Sequence, residues 1–344
     1  MRERDDTIDI VRGIAIFTMV ASNMTPYVLS GDSPIWLRFY GTFAAPLFIF
    51  LAGMMIKVAG NNRRHSLEYY LIRGMALVGI GAVIDVYIWG LVPFLTMDVL
   101  YLIGLAMPLC YFLGKCPSAL RYIVAMTFFA ITPFLQELFS YRHSPDSFML
   151  ASGITFAEVV DQTQFVRGWL IDGWFPLFPW LGVAFAGYLV GEVRISHSSF
   201  ANVKVMLTGL SSLLLGSFWW LVQPVERFMR GGYPDLFYPP TLAFFLVAAG
   251  VTLLLFYLVD CTKASLVYSP FKLYGKCSLL MYILHTIVIG KYFWPQSQDG
   301  AALELGAFLQ TYLLFMMGLL LVAWLINQLK PKELHPAIRF FIGS

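Results

Sequence analysis

The 344 residues are 59% apolar or aromatic and only 12% charged, about half the charged share of a soluble domain. So few polar side chains cannot build a water-exposed surface, which excludes an ordinary soluble fold. The net charge of +3, from 23 Lys and Arg against 20 Asp and Glu, is small and dispersed and offers no footprint for nucleic acid.

Crossing hydrocarbon takes about 20 mainly apolar residues in a helix, because the backbone must satisfy its own polar groups there. Ten windows meet that standard. The first, 8–30, outlasts the roughly 7 to 15 residues of a signal h-region and lacks a clear A-x-A site, so it reads as a retained helix. Asp9 and Arg12 stand three apart on one face of it and can pair. Arg12 equally suits a phosphate, its guanidinium being a fixed fork of donors. Asn23 follows eleven residues later, three turns along and near the far end. An intramembrane amide of this kind either joins helices or serves a reaction.

The second window is 36–58 and the third, 72–92, holds Asp85 amid apolar neighbours; Asp98 lies at the start of the fourth, 95–114. A buried carboxylate must find a donor, take a proton or face water. The fifth window, 118–138, leads into a long loop, 139–173, carrying Arg142, His143, Asp146, Glu158, Asp161 and Asp172. The sixth, 174–192, opens with Phe175-Pro-Leu-Phe-Pro-Trp180 and continues through Gly182, Gly187 and Gly191. Proline is tolerated in a first turn and spaced glycines let helices approach, so this block is a packing seam or the mouth of a cavity. After the seventh window, 203–222, the loop 223–238 contains the turn-rich run Arg230-Gly-Gly-Tyr-Pro-Asp235. The eighth is 239–261. The ninth, 271–294, holds His285, the one histidine well inside a span, suited to acid–base chemistry or to hydrogen-bonded packing. The tenth, 302–327, precedes an interfacial tail from Lys330 to Phe341.

With both termini in the cytoplasm, the outer loops hold six basic residues, Arg38, Arg142, Arg167, Arg227, Arg230 and Lys291, and the inner side the other seventeen of the 23. That bias matches the positive-inside rule only for an even number of spans. The expected fold is therefore all-α and polytopic, about ten transmembrane helices in a single domain over 1–344. Cys110, Cys116, Cys261 and Cys277 form no C-x-x-C pair and read as buried thiols, with no metal site expected. No phosphate loop, G-x-S-x-G elbow or H-E-x-x-H helix is present.

Four blocks carry a resemblance. Arg4-Asp-Asp-Thr-Ile-Asp9-Ile-Val-Arg12-Gly13 running to Asn23, Pro46-Leu-Phe-Ile-Phe-Leu-Ala-Gly53, Phe175 to Trp180 with Gly187, and Ser278-Leu-Leu-Met-Tyr-Ile-Leu-His285 resemble, in order, the heparan-alpha-glucosaminide N-acetyltransferase family. Asn23 also resembles that family rather than the acyltransferase-three group, which has His eleven positions after its basic residue. The resemblance implies an acyltransferase that takes an acetyl group from cytosolic acetyl-CoA to an amine or hydroxyl of an extracytoplasmic sugar or glycan. It implies Asn23 as a catalytic residue, Arg12, Asp9, Arg63, Arg64 and Arg73 at the cofactor, and no metal. The family's loop histidine is missing between Met24 and Arg38, which leaves Asp32 and His285 as the bases expected. The partners expected are acyl-CoA, the sugar acceptor, the lipid bilayer of a bacterial inner membrane and a second copy in a homodimer. A transporter or lipid-handling protein that uses the same fold without acyl transfer is the alternative.

Overall fold

The computed structural model describes residues 4–62, 65–142, 149–150, 162–222, 230–263, 265–328 and 340–341. Arg63, Arg64, His143, Asp146, Glu158, Asp161, Arg227 and most of the tail after Lys330 lie outside them. The described residues are helical, joined by short turns and three isolated bridges. Among the described residues seven helices are long and apolar enough to span a membrane, or up to nine if each of two bent helix pairs is one span, and Val99–Leu113 is a shorter apolar helix.

The chain forms two compact units, one built mainly from Phe48–Ser198 and the other from Glu3–Leu47, Ser199–Pro239 and Ala243–Ser344. In the second unit α1 (Asp6–Val28) is central. Asp5 caps it by accepting the Thr7 N–H at 3.1 Å, and Asp6 and Asp9 complement the positive end of the helix dipole. Ile8, Val11, Ile16 and Val20 are at most 2% exposed, so α1 is apolar and covered on nearly every side, as a helix inside a bundle must be. The unit further holds α2 (Ile35–Thr42) and the start of α3 (Ala44–Asn62), then, later in the chain, α10 (Val203–Val222), α11 (Leu242–Thr262), α12 (Ser269–Lys276), α13 (Ser278–Val288), α14 (Trp294–Gln298) and α15 (Leu305–Gln328). Glycines set the closest approach. A Cβ on Gly13 would collide with the backbone of Phe271, and one on Gly275 with the backbone of Asp9, so α1 and α12 meet main chain to main chain. Gly216 of α10 and Gly250 of α11 make a comparable seam.

The first unit contains the rest of α3, α4 (Leu67–Ile84) with a π-turn over Asp85–Trp89, α5 (Val99–Leu113), α6 (Ser118–Ala130), α7 (Thr132–Leu138), α8 (Gln162–Arg167) and α9 (Leu177–His197). Gly53 faces the Ala184 carbonyl and Gly187 the Phe50 carbonyl, which makes the Gly-rich sixth window a packing seam with α3. Asp85 has found its donor in the hydroxyl of Tyr101. In the 139–173 loop the Arg167 guanidinium, at 2.7 Å, and the Arg142 N–H converge on Asp172. Glu192 joins Lys57, at 2.7 Å, and Arg121. Leu71, Met75 and Val83 on α4 and Leu214, Leu215 and Phe218 on α10 are well exposed, the pattern of lipid-facing surface.

The second window stands as one candidate span, Ile35–Asn61, with a turn residue at Phe43 between α2 and α3. Two expectations need correction. The ninth is bent by 80° between Leu266–Lys276 and Ser278–Gln298. The hinge residue Cys277 has φ −114° and ψ 29°, outside the helical region, and hydropathy averaged over a window cannot register such a break. Of the four thiols only Cys110 and Cys277 are buried; Cys261 is exposed on the last turn of α11 and Cys116 half-exposed in the turn after α5. An apolar side chain in a bilayer protein need not face the interior.

Candidate functional site

Helix α1 carries three of the expected site residues, and the charge count runs it from the inner side at Asp6 to the outer side at Val28. At the inner end Asp9, 2% exposed, is held by Arg4, whose Nη2 lies 3.1 Å from Oδ1, and by Arg12 Nη1 at 3.5 Å. The expected Asp9–Arg12 pair therefore exists, but it is the longer of two. Arg12 also donates to the Gly275 carbonyl at 3.2 Å, an approach that the absence of a side chain on Gly275 permits. With Asp9 shared between two guanidiniums, the cluster keeps a net positive charge. Nearby Thr7 Oγ1 donates to Asp260 Oδ1 at 2.6 Å, and Asp260 accepts the Phe200 N–H at 2.6 Å, which ties α1 to the start of α10 through α11.

Eleven residues on, about 16 Å along the axis, Asn23 meets His285. Asn23 Nδ2 and His285 Nε2 are 3.0 Å apart, and His285 Nδ1 lies 3.1 Å from the Met281 carbonyl. A carbonyl only accepts, so Nδ1 must carry the proton. In the neutral ring Nε2 is then an acceptor, and the Asn23 amide turns its N–H toward it. Asn23 Oδ1 and the second N–H are left for another partner. His285 is completely buried, with the ring of Tyr282 edge-on at 5.3 Å, while Asn23 is half-buried. Two residues 262 positions apart, each singled out in the sequence, thus form one hydrogen-bonded pair.

The remaining expectations do not gather there. Asp32 is exposed in the turn after α1. Arg73 belongs to the first unit, where its Nη1 donates to the Tyr69 hydroxyl at 2.8 Å and its charge lies over the Tyr69 ring. Among the described residues no group of three or more His, Cys, Asp or Glu side chains could hold a metal.

The family profile described as heparan-alpha-glucosaminide N-acetyltransferase, catalytic, matches residues 4–217. The chain belongs to the heparan-alpha-glucosaminide N-acetyltransferase catalytic family. The match contains Asp9, Arg12 and Asn23, and ends before His285, so the pair joins a residue inside the family region to one beyond it. Membership makes this a membrane protein of an acetyltransferase family that uses acetyl-CoA as donor. No protein of curated function matches the chain in sequence.

Sequence reasoning passed over one neighbour of Asn23. Ser22 Oγ donates to Asp235 Oδ1 at 2.9 Å, and Asp235 is 9% exposed. Asp235 lies outside the spans, and burial pushes its carboxyl up to about 6, against the opposing pull of Ser22 and of the Arg38 charge. The run Arg230 to Asp235 stood out in the sequence as turn-rich, but nothing in it announced a partner 213 positions away.

Proposed function

We propose that the protein transfers the acetyl group of cytosolic acetyl-CoA to an amine or hydroxyl of a sugar on the extracytoplasmic side, with Asn23 as the group that touches the reacting atoms. The Asn23–His285 pair carries this reading, because it fixes the orientation of a half-buried amide on the same helix face as Arg12.

The donor would enter from the inner end, where the Arg12 guanidinium offers positive charge to its phosphates. Its thioester would reach toward the outer third of α1. There an N–H of Asn23 donates to the thioester carbonyl as negative charge develops on that oxygen, while Oδ1 accepts from the acceptor. His285 acts through Asn23, since its only polar edge beyond Met281 is already turned to the amide. Asp32 stands in an exposed turn, outside the Asn23–His285 pair. Both termini lie in the cytoplasm in this arrangement, and the bilayer is the inner membrane of a bacterium.

Detergent-purified protein incubated with radiolabelled acetyl-CoA and a panel of amino sugars and cell-wall fragments will label an acceptor, and Asn23→Ala will abolish labelling while leaving acetyl-CoA binding in place. Unchanged labelling in the variant would remove Asn23 from the reaction.

A further inference from the structure

The outer end of α1 carries a second polar cluster, which the donor does not use. The segment after Arg230 crosses this end. Gly232 packs against Pro26, the Tyr233 hydroxyl meets that of Tyr27 at 3.2 Å, and Asp235 takes the Ser22 hydroxyl. Pro26 and Tyr27 lie one turn beyond Asn23, so the segment covers the same end of the helix as the amide.

Helix α2 closes the cluster from the other side. Gly41 leaves the room that the Ser22 side chain occupies, Thr42 Oγ1 accepts the Leu236 N–H at 2.9 Å, and Arg38 Nε donates to the Pro234 carbonyl at 2.9 Å. Ile35, Trp36 and Phe39 take the exposed positions of this helix. Arg38 is instead drawn onto the residue beside Asp235. Its Nη2 is buried and has no hydrogen-bond partner among the described residues. A buried guanidinium N–H without an acceptor is costly, and a ligand oxygen that completes it recovers that cost on binding.

We infer that Arg38 and Asp235 form the acceptor-recognition subsite, in which Arg38 Nη2 donates to an anionic oxygen of the sugar and Asp235 accepts from one of its N–H or O–H groups. The inference rests on the acetyl-transfer reading and adds the chemical class of the acceptor: a sugar that carries an acid group, carboxylate or phosphate, beside its amine or hydroxyl. A guanidinium presents its N–H groups in a fixed fork that matches the oxygens of a carboxylate or phosphate. A phospholipid phosphate offers the same anionic oxygens, and the lipid arm of the test separates the two sources.

The test compares three acceptors, glucosamine, glucosamine 6-phosphate and muramic acid, in the acetyl-CoA transfer assay. At least one of the two acidic sugars should show a KM 10-fold or more below that of glucosamine, and the Arg38→Gln variant should erase the difference with kcat within about threefold. Arg38→Lys should restore part of it. Acetyl-CoA affinity, measured by titration without acceptor, should not move. Equal KM for all three sugars in the unaltered protein, or an Arg38→Gln effect equal on all three, would overturn the subsite. So would a loss of bound phosphatidylglycerol on Arg38→Gln with no change in KM, which would assign the nitrogen to lipid. If Arg38→Gln does not fold, Arg38→Lys and the comparison of sugars on the unaltered protein decide alone. Should the unaltered protein bind no acetyl-CoA and transfer nothing, the acetyl-transfer reading fails; equilibrium dialysis of radiolabelled muramic acid and glucosamine 6-phosphate against it and Arg38→Gln then tests the subsite separately, equal binding of both sugars to the two proteins refuting it.

Discussion

Removing either partner of the Asn23–His285 bond should have unequal consequences. Asn23→Ala strands the Nε2 lone pair of a completely buried ring. An orphaned buried polar atom costs about 1–3 kcal/mol. His285→Leu keeps most of the side-chain volume; it strands an N–H of Asn23, which is half-buried and can turn toward solvent, and removes the side-chain bond to the Met281 carbonyl, a helical acceptor, so its cost should sit near about 1 kcal/mol. The double variant leaves no orphan and should resemble His285→Leu. The resulting coupling equals the Asn23→Ala cost in size, about 1–3 kcal/mol, above the mean of about 0.6 and reaching or passing the maximum of about 1.7 found for interhelical hydrogen bonds in membranes. Reversible unfolding in mixed detergent, followed by tryptophan fluorescence, measures all four corners of the cycle. Additive single effects, or His285→Leu more damaging than Asn23→Ala, would refute the hydrogen bond and the tautomer assigned to the ring.

Gly13→Ala should destabilise the protein by about 1–3 kcal/mol, because the new methyl meets the Phe271 backbone and forces α1 from α12; a thermal midpoint in detergent unchanged from the unaltered protein would contradict that seam. Tyr101→Phe removes the donor to Asp85 and should cost about 1–3 kcal/mol, whereas Tyr101→Phe combined with Asp85→Asn should recover part of the loss. For Asp235 the sign follows from its raised pKa: between about 4 and about 6 the folded state holds a proton that the unfolded chain has released, so stability falls as pH rises through that window and levels off above it. Asp235→Asn should flatten this slope, and a slope that persists in the variant would place its origin elsewhere.

The architecture was legible because a bilayer imposes a one-dimensional rule. Length and hydropathy point to the spans whatever packs against them, and seven to nine candidate spans stand among the described residues. The Asp9–Arg12 contact was legible for a related reason, since positions three apart share a helix face. Arg4, which binds Asp9 more closely, was not, because it precedes the helix and its direction depends on the cap. Asn23 and His285 were each visible as polar groups in apolar spans, but their pairing depends on how α1 and α13 pack, and no local periodicity encodes that. Gly13 and Gly275 explain part of that packing after the fact: both had to be glycine for α12 to reach α1. Asp235 was hidden more deeply. It stands in a loop where carboxylates are common, and only its contact with Ser22 and its burial separate it from them.

The central claim is transfer across the bilayer, and sidedness tests it most directly. Protein reconstituted with its basic face inward, in vesicles loaded with radiolabelled acetyl-CoA, should deliver labelled acetyl groups to an amino sugar supplied only outside, and Asn23→Ala vesicles should not. Label appearing on the sugar only when donor and acceptor share one compartment would contradict the account.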